Sequence, residues 1–415
     1  MAWESFDVAS SQPAQDPWRG QATRYLEILS FVFFIVAATL YVTSIAWTLP
    51  LPRDYTTLAV GRDFLNFWMY GRAAFESDPG RFYDVAIYNG VLRALAGGNY
   101  PGQTWSYPPS VMLVAWPFGS LSYLQALAAW TTGGVAFLLW AASRLLADRR
   151  LLAALIVSPA AILCLISGQF SFLTAGMMIL IFVWLDRKPV VAGILIGLLV
   201  IKPQLGLLFP VILIASGRWR VFSAAALTVL AITFATAAIF GPQVWIDYIS
   251  IGLPNQNLVL IEPYRLGAPL MPTIFMNARW LGANYATAMA IQLCFTAFAA
   301  AALFWAYRYR KDADPWLLAT LFFACSVCGS PYLMSYDLLP MTFAALLLRS
   351  SSRLDAQGHR LAVLVYWLPL IQFALGQFYL PGAALIAPAF ALYLVALLKD
   401  SSRGVSLPFP APARS

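Results

Sequence analysis

Charged and metal-binding side chains are scarce in this sequence. Asp, Glu, Lys and Arg make up only 11% of its 415 residues, whereas an ordinary soluble domain has about 25%. The chain contains one histidine, His359, so we expect no histidine-based metal site and no other cofactor. The four cysteines, Cys164, Cys294, Cys325 and Cys328, lie in apolar stretches. The last two have the spacing of a redox pair, but buried, inert thiols are the better interpretation.

Apolar side chains fill the sequence instead. Hydrophobic residues account for 61% of the chain, and the mean hydropathy is +0.72. Apolar runs recur along nearly the whole sequence, and about 20 such residues are needed to cross a bilayer. The pattern predicts an all-α polytopic membrane protein with about twelve membrane segments. These segments are Leu26–Trp47, Leu121–Leu146, Leu151–Ser167, Phe170–Leu185, Val190–Ile201, Leu205–Ser216, Val221–Phe240, Tyr285–Tyr307, Pro315–Gly329, Asp337–Leu348, Leu361–Phe378 and Gly382–Leu398.

The basic residues predict how the chain is oriented in the membrane. With the amino terminus inside, 18 of the 26 Lys and Arg residues fall on the cytoplasmic side, as the positive-inside rule requires. The net charge of +8 therefore does not indicate nucleic-acid binding. We expect a multi-pass protein of the cell inner membrane with both termini cytoplasmic and the first segment retained as a signal anchor.

This topology divides the chain into one membrane domain and two flanking segments. The domain is predicted to cover 26–398, between a cytoplasmic segment 1–25 and a disordered cytoplasmic tail 399–415. Two long loops, 48–120 and 241–284, are predicted on the extracytoplasmic side. In the first loop, Asp84–Ala96 carries an apolar stripe that is typical of a helix lying at the membrane interface.

Two of the predicted segments are too short to cross the membrane alone. Val190–Ile201 and Leu205–Ser216 are separated by Lys202, Pro203 and Gln204, and the proline breaks the helix. A broken re-entrant pair keeps the basic clusters on either side of it in the cytoplasm. Irregular backbone at this depth must be buried in protein or line a wet cavity. We therefore expect Lys202 to face such a cavity and to neutralise a phosphate, although snorkelling to the interface is the alternative.

The first loop concentrates charge. Ten of the 44 charged residues lie in Arg53–Arg93, and charge within a membrane protein often marks a functional site. Asp63 opens a predicted helix, Phe64–Glu76, and is the candidate general base, because a base must accept a proton from a nearby hydroxyl. An ordinary helix N-cap is the alternative. Arg62 either keeps Asp63 ionised or binds a phosphate, and Asn66 is a candidate ligand of a sugar hydroxyl.

Four further residues are candidate substrate ligands. Asp337 either caps the next helix or contacts substrate, and Gln169 either stabilises a tight turn or lines the cavity. Arg265 in the second loop is a candidate phosphate or sugar ligand. Tyr107, like Trp68 and Trp105, has a ring that can stack on a sugar.

A set of short motifs extends along the chain from Arg62 to Asp337. The motifs are Arg62-Asp63-Phe64 with Trp68, Tyr70-Gly71 and Tyr83-Asp84, then Tyr107-Pro108-Pro109, Gly168-Gln169, Gly193 and Gly197 with Lys202-Pro203, and Ser330-Pro331 with Tyr336-Asp337. This set resembles glycosyltransferase family 87. Each motif alone is weak, but together and in order they cover most of the chain. The resemblance implies a C-type glycosyltransferase fold, a lipid-phosphate sugar donor and Asp63 as the catalytic base.

The residues and the resemblance together predict a membrane glycosyltransferase. It would move a sugar, mannose or another hexose or pentose, from a polyprenyl-phosphate donor to an extracytoplasmic glycan or glycolipid acceptor. Membrane lipids are the other expected partners. The predicted substrate-binding residues are Arg62, Asn66, Tyr107, Gln169, Lys202, Gln204, Arg265, Tyr336 and Asp337. The alternative is a transporter or flippase, which would also use a broken helix with a buried lysine.

Overall fold

The computed structural model describes residues 17–49, 51–265, 267–350 and 354–400. Most of the predicted flanking segments, 1–25 and 399–415, therefore lies outside the described residues. Within those residues the chain forms twenty α-helices, and the only β-structure is two isolated bridges. In chain order the helices are α1 Pro17–Thr43, α2 Phe64–Ala73, α3 Val85–Ala96, α4 Met112–Gly119, α5 Tyr123–Ala142, α6 Arg149–Ile156, α7 Pro159–Ser167, α8 Ser171–Trp184, α9 Pro189–Leu198, α10 Pro203–Gly206, α11 Phe209–Ser216, α12 Trp219–Phe240, α13 Gln243–Asp247, α14 Leu253–Ile261, α15 Ile274–Trp280, α16 Tyr285–Tyr309, α17 Pro315–Gly329, α18 Leu339–Ser350, α19 Ala356–Gly376 and α20 Ile386–Asp400.

The long apolar helices confirm an all-α polytopic membrane protein. Among the described residues, six helices are long and apolar enough to cross a membrane. They are Tyr25–Thr43 of α1, then α5, α12, α16 and α19, and Ala383–Asp400, which includes α20. On α12, Leu227, Phe234 and Ile239 remain 65%, 70% and 63% exposed. Side chains of this kind, exposed along a membrane-length helix, are suited to contact with lipid.

The predicted count of twelve segments is not confirmed, because several segments are short helices enclosed by protein. The segment Leu151–Ser167 is two helices, α6 and α7, bent by 49° at Ser158 and Pro159. Helices α8 and α17 have only 14 and 15 residues. Most side chains of α8 and nearly all those of α17 are buried inside the bundle. An apolar run does not distinguish burial in protein from burial in lipid.

The structure forms the predicted broken pair around Lys202. Helix α9 leads into a short 3₁₀ turn, Leu199–Ile201, and α10 and α11 follow after Lys202. The guanidinium of Arg218, just beyond α11, donates to both carboxylate oxygens of Asp186 at 2.8 and 3.1 Å. Because Asp186 precedes α9, this ion pair holds the two ends of the broken pair together. Lys202 therefore lies at the turn, and both flanks return to the same end of the bundle.

The first long loop is a folded unit with its own aromatic core. Trp105 is almost fully buried and stacks on Tyr70 with ring centroids 3.7 Å apart. The rings of Tyr83 and Tyr88 contact the same indole edge-on. Helix α3 begins at Val85, one residue after the predicted Asp84, and packs Tyr88 into this core, whereas α2 ends at Ala73, three residues before the predicted Glu76. The loop therefore provides a rigid support for residues at the start of α2.

Helices α2 and α4 approach so closely that only glycine fits between them. A Cβ atom on Gly71 would lie 2.3 Å from the carbonyl oxygen of Ala115 and 2.7 Å from the amide nitrogen of Gly119. We expect Gly71→Ala to destabilise the protein by about 1–3 kcal/mol, because backbone atoms of α4 would have to move. The melting temperature of purified protein in detergent measures this effect.

Gly90 on α3 provides the matched control. A Cβ atom there would meet no heavy atom within 4 Å, so Gly90→Ala should be neutral or stabilising by up to about 1 kcal/mol. Equal melting temperatures for the two variants would contradict the close packing of α2 on α4.

Candidate active site

A polar cavity of about 300 Å³ lies where several helices break. Its walls come from the start of α2, the turn between α7 and α8, the turn after α9 and the segment between α17 and α18. Nine of the ten residues predicted to form the site line this cavity. They are Arg62, Asp63, Asn66, Tyr107, Gln169, Lys202, Gln204, Tyr336 and Asp337.

Asp63 does not act as a helix cap. It occupies the N-cap position of α2, but its side chain accepts no capping hydrogen bond from the helix. Instead, Asp63 Oδ2 accepts a hydrogen bond of 2.7 Å from Gln169 Nε2. Tyr107 OH donates to Gln169 Oε1 at 3.0 Å, and this fixes which end of the amide faces the carboxylate. Asp63 therefore faces the cavity and is held by a side chain from another helix turn.

The turn that carries Gln169 is shaped by Gly168. This residue adopts the left-handed conformation (φ +58°), which favours glycine, at the end of α7. A Cβ atom there would lie 2.5 Å from Phe64 Cβ and 2.9 Å from the carbonyl oxygen of Gly61. The absence of a side chain lets the turn approach the residues on either side of Asp63. Gln169 thus stabilises its turn, where Phe170 N donates to Oε1 at 3.3 Å, and also lines the cavity.

Arg62, beside Asp63, is held in a strained backbone conformation. Its φ is +38°, which is uncommon for a residue with a side chain and often occurs at functional sites. Arg62 Nε donates to Asp54 Oδ2 at 2.7 Å, and the Asp54 side chain is fully buried. Gln103 Nε2 donates to the carbonyl oxygen of Arg62 at 3.0 Å. The ion pair and this amide hold the backbone that places Asp63.

Lys202 forms a buried ion pair with Asp337. The distance from Lys202 Nζ to Asp337 Oδ1 is 2.6 Å, and the two side chains are 4% and 1% exposed. Ser171 Oγ donates to the same carboxylate oxygen at 2.7 Å, and Met334 N donates to Oδ2 at 3.4 Å. The lysine is therefore paired inside the protein and does not snorkel to the interface. Asp337 serves as its counter-ion rather than as a simple helix cap.

Tyr336 connects this ion pair with Asp63. Its hydroxyl lies 3.5 Å from Asp63 Oδ2, and Lys202 Nζ lies 4.9 Å from the centre of its ring. An ammonium group over an aromatic face is an attractive contact. The carboxylate thus lies near the hydroxyl of Tyr336 and the ammonium lies over its ring, within a single cavity.

The other predicted contacts divide into those at the cavity and those behind it. Asn66 lines the cavity, but Tyr88 OH donates to its amide oxygen, and its Nδ2 donates to Thr104 O at 3.1 Å. Tyr107 also lines the cavity. Trp68 and Trp105 do not line it and are 7% and 1% exposed, so the predicted stacking of these two indoles on a sugar is not supported.

Arg265 is the one predicted site residue that the structure leaves outside the cavity. It is partly exposed, and its NH1 lies 3.4 Å from Glu262 Oε2. Its neighbour Gly267 lines the cavity, but the Arg265 side chain does not. The prediction that Arg265 is a substrate ligand is therefore not supported by its position. The sequence of a polar loop does not show which of its side chains face the cavity.

Several cavity or supporting residues had no clear signal in sequence. Ser171 donates to Asp337, but a serine at a turn is common. Asp54 pairs with Arg62, but in sequence it is one of ten charged residues in the same loop. The cavity walls also include Gln256 of α14 and Gln377 after α19, and Tyr332 between them. Only the folded chain brings these distant segments together.

The environment of Asp63 favours proton transfer. Burial raises the pKa of its carboxyl group above the ordinary value. The hydrogen bond from Gln169 and the charges of Lys202 and Arg62 lower it, but they do not offset burial. A carboxylate whose pKa is raised is a stronger proton acceptor, which is what a general base requires.

The chain is thus a polytopic membrane protein with a polar cavity among its apolar helices. The chain belongs to glycosyltransferase family 87, whose model matches residues 105–335, more than half of its length. No curated protein and no solved structure matches it. The chain is therefore a membrane glycosyltransferase. Tyr107, Gln169, Lys202 and Gln204 lie within the matched range, whereas Asp63 precedes it.

The buried ion pair generates a prediction about stability. Replacing either partner alone, as in Lys202→Met or Asp337→Leu, should destabilise the protein by about 3–5 kcal/mol, because the remaining charge is left buried without its counter-ion. The double variant should regain most of this loss. Thermal or denaturant unfolding of the purified variants in detergent measures it.

Arg218→Met is the control, because it breaks the Arg218–Asp186 pair, whose carboxylate is 68% exposed. It should cost no more than about 1 kcal/mol. If the double variant is as unstable as the sum of the two single variants, Lys202 and Asp337 do not depend on each other.

Proposed function

We propose that this membrane glycosyltransferase transfers a sugar from a polyprenyl-phosphate donor to the hydroxyl group of a glycan or glycolipid acceptor, with Asp63 as general base. The observation that carries the proposal is that one cavity presents both the Asp63 carboxylate and the Lys202 ammonium, and that both groups contact Tyr336. One group is suited to remove a proton and the other to stabilise a leaving phosphate.

The reaction requires no redox step. Asp63 accepts the proton of the acceptor hydroxyl. At the same time, the oxygen of that hydroxyl forms a bond to the anomeric carbon of the donor sugar. The bond from that carbon to the phosphate oxygen breaks, and polyprenyl phosphate leaves with the electron pair. Lys202 and Arg62 stabilise the charge that develops on this phosphate. Each retains N–H donors beyond those used by its present carboxylate partner.

The distribution of basic residues supports an extracytoplasmic active site in the cell inner membrane. Helix α8 starts at the cavity and ends near Arg187 and Lys188, and α18 starts at the cavity and carries Arg349 in its last turn. Helix α17 runs toward the cavity from Arg310. The basic clusters thus lie at the end of the bundle away from the site, which the positive-inside rule assigns to the cytoplasm. Both termini would then be cytoplasmic.

The test of the base is Asp63→Asn. The amide keeps the size of the side chain but does not accept the proton, so the rate of transfer should fall at least about 100-fold. Release of polyprenyl phosphate from a polyprenyl-phosphate mannose donor, by full-length protein in nanodiscs, measures the reaction. Glu76→Gln, an exposed carboxylate of the same loop, should keep wild-type activity. Full activity of correctly folded Asp63→Asn would refute the assignment.

A second prediction concerns the pH dependence of transfer. The base works only when ionised, so activity is lost as the pH falls through the pKa of Asp63. Gln169 lowers that pKa by donating to the carboxylate. Gln169→Leu should therefore raise the pKa and move the acid limb of the kcat/KM profile to higher pH. Gln357→Leu, at the distant start of α19, is the control. An unmoved acid limb, or one moved to lower pH, would exclude Asp63 as the group that titrates.

A further inference from the structure

Three uncharged glutamine side chains beyond Gln169 line the cavity. Gln204 lies in α10, Gln256 in α14 and Gln377 just after α19, and all three line the cavity. Within the described residues, the side chains of Gln204 and Gln377 have no hydrogen-bond partner. Gln256 lies beside the hydroxyl of Tyr332. An amide offers both a donor and an acceptor, which is the combination that sugar hydroxyls require.

These amides are connected structurally to the proposed catalytic residues. Tyr332 lines the same cavity as Asp63 and Asp337. Gln372 Nε2 on α19 donates to Pro269 O at 3.0 Å, and Ser335 Oγ donates to Leu270 O at 2.8 Å. The end of α19 is thereby joined, through the cavity residues Pro269 and Leu270, to the segment that carries Tyr336.

Phe373 adds an apolar surface beside Gln377. It lines the cavity from the last turn of α19, four residues before Gln377, so the two side chains are about one helical turn apart. A partly exposed ring next to amide groups is suited to the C–H face of a sugar, with the amides meeting its hydroxyls. The amides and the ring that line the cavity are therefore the groups that a carbohydrate subsite requires.

The charges of the cavity limit what else it accepts. Among the described residues, four that line it carry charge, namely Arg62, Asp63, Lys202 and Asp337. Arg62 is paired with Asp54 and Lys202 with Asp337. Asp63 is thus left without an ion-pair partner among the described residues, and the donor brings a negative phosphate. A second anion would find no uncommitted cation in this cavity.

We propose that the part of the acceptor that enters this cavity is an uncharged glycan, held by Gln256, Gln377 and the ring of Phe373. This inference rests on the proposed function, because it assigns the acceptor side of the same cavity. A carboxylate or phosphate on the entering sugar is opposed by Asp63 and by the donor phosphate. At about 7 Å and an effective dielectric constant of about 20, one such repulsion corresponds to roughly a fiftyfold loss of binding.

The experiment compares two acceptors that differ in one charge. Full-length protein in phosphatidylcholine nanodiscs receives polyprenyl-phosphate mannose with octyl mannoside or with octyl mannuronoside, which carries a C6 carboxylate. We expect kcat/KM for octyl mannoside to exceed that for the uronate at least about tenfold. Equal use of the two, preference for the uronate, or use of neither while the donor is hydrolysed would overturn the inference.

Two variants test whether Gln256 and Gln377 bind the uncharged acceptor. In Gln256→Leu/Gln377→Leu, the ratio of transfer to donor hydrolysis should fall about tenfold, because two hydrogen bonds to the acceptor are lost. Gln357→Leu, on the exposed start of α19, should keep the wild-type ratio. Gln377→Lys adds a cation and should increase use of the uronate relative to octyl mannoside. An unchanged ratio in the double variant would overturn the proposed subsite.

The two proposals fail in different ways. If the protein does not use a polyprenyl-phosphate sugar, the sugar is not transferred and the donor is not hydrolysed. Wild-type protein and Asp63→Asn are then equally inactive. If only the acceptor inference is wrong, the donor is consumed in an Asp63-dependent manner, but the charge of the acceptor and the two glutamines have no effect.

Discussion

The buried ion pair of Lys202 and Asp337 is the constraint on which the rest of the cavity depends. An unpaired lysine at this depth would cost several kcal/mol. Its carboxylate partner lies 135 residues away in sequence, in the break between α17 and α18. Neutralising the lysine therefore fixes two helix breaks relative to each other. Tyr336, which precedes Asp337, is positioned by the same contact and reaches Asp63.

The need to satisfy broken backbone explains why these turns meet at one place. A helix that stops inside a membrane domain leaves polar backbone groups that lipid does not satisfy. The breaks before α8, after α9 and before α18 share one polar cavity. There, Gln169 and Asp337 accept hydrogen bonds from the backbone N–H groups of Phe170 and Met334. The polar side chains of the cavity thus have a structural role, because they satisfy backbone groups at the helix breaks. The same groups then become available to a substrate.

The sequence predicts the cavity residues better than it predicts the helices around them. Lys202, Asp63 and Asp337 were identifiable because a charged side chain in an apolar chain is costly and needs a reason. Pro203 marked the broken pair for a similarly local reason. The bend at Pro159, the burial of Trp105 and the outward position of Arg265 depend on contacts between distant segments. Periodicity and composition carry no information about those contacts.

The position of Asp63 before the matched range 105–335 shows how the two parts of the chain share the site. The matched part supplies Lys202 and the turn at Gly168, whereas the first loop supplies the carboxylate. Gly168 permits close contact with the backbone at Gly61, and Gln169 holds Asp63 across that contact. The strained Arg62 is restrained by Asp54 within the same loop. If Asp63 is the base, catalysis requires the aromatic core of the loop to remain folded against the bundle. A loosely packed loop would move the Asp63 carboxylate away from Lys202, the residue proposed to bind the donor phosphate.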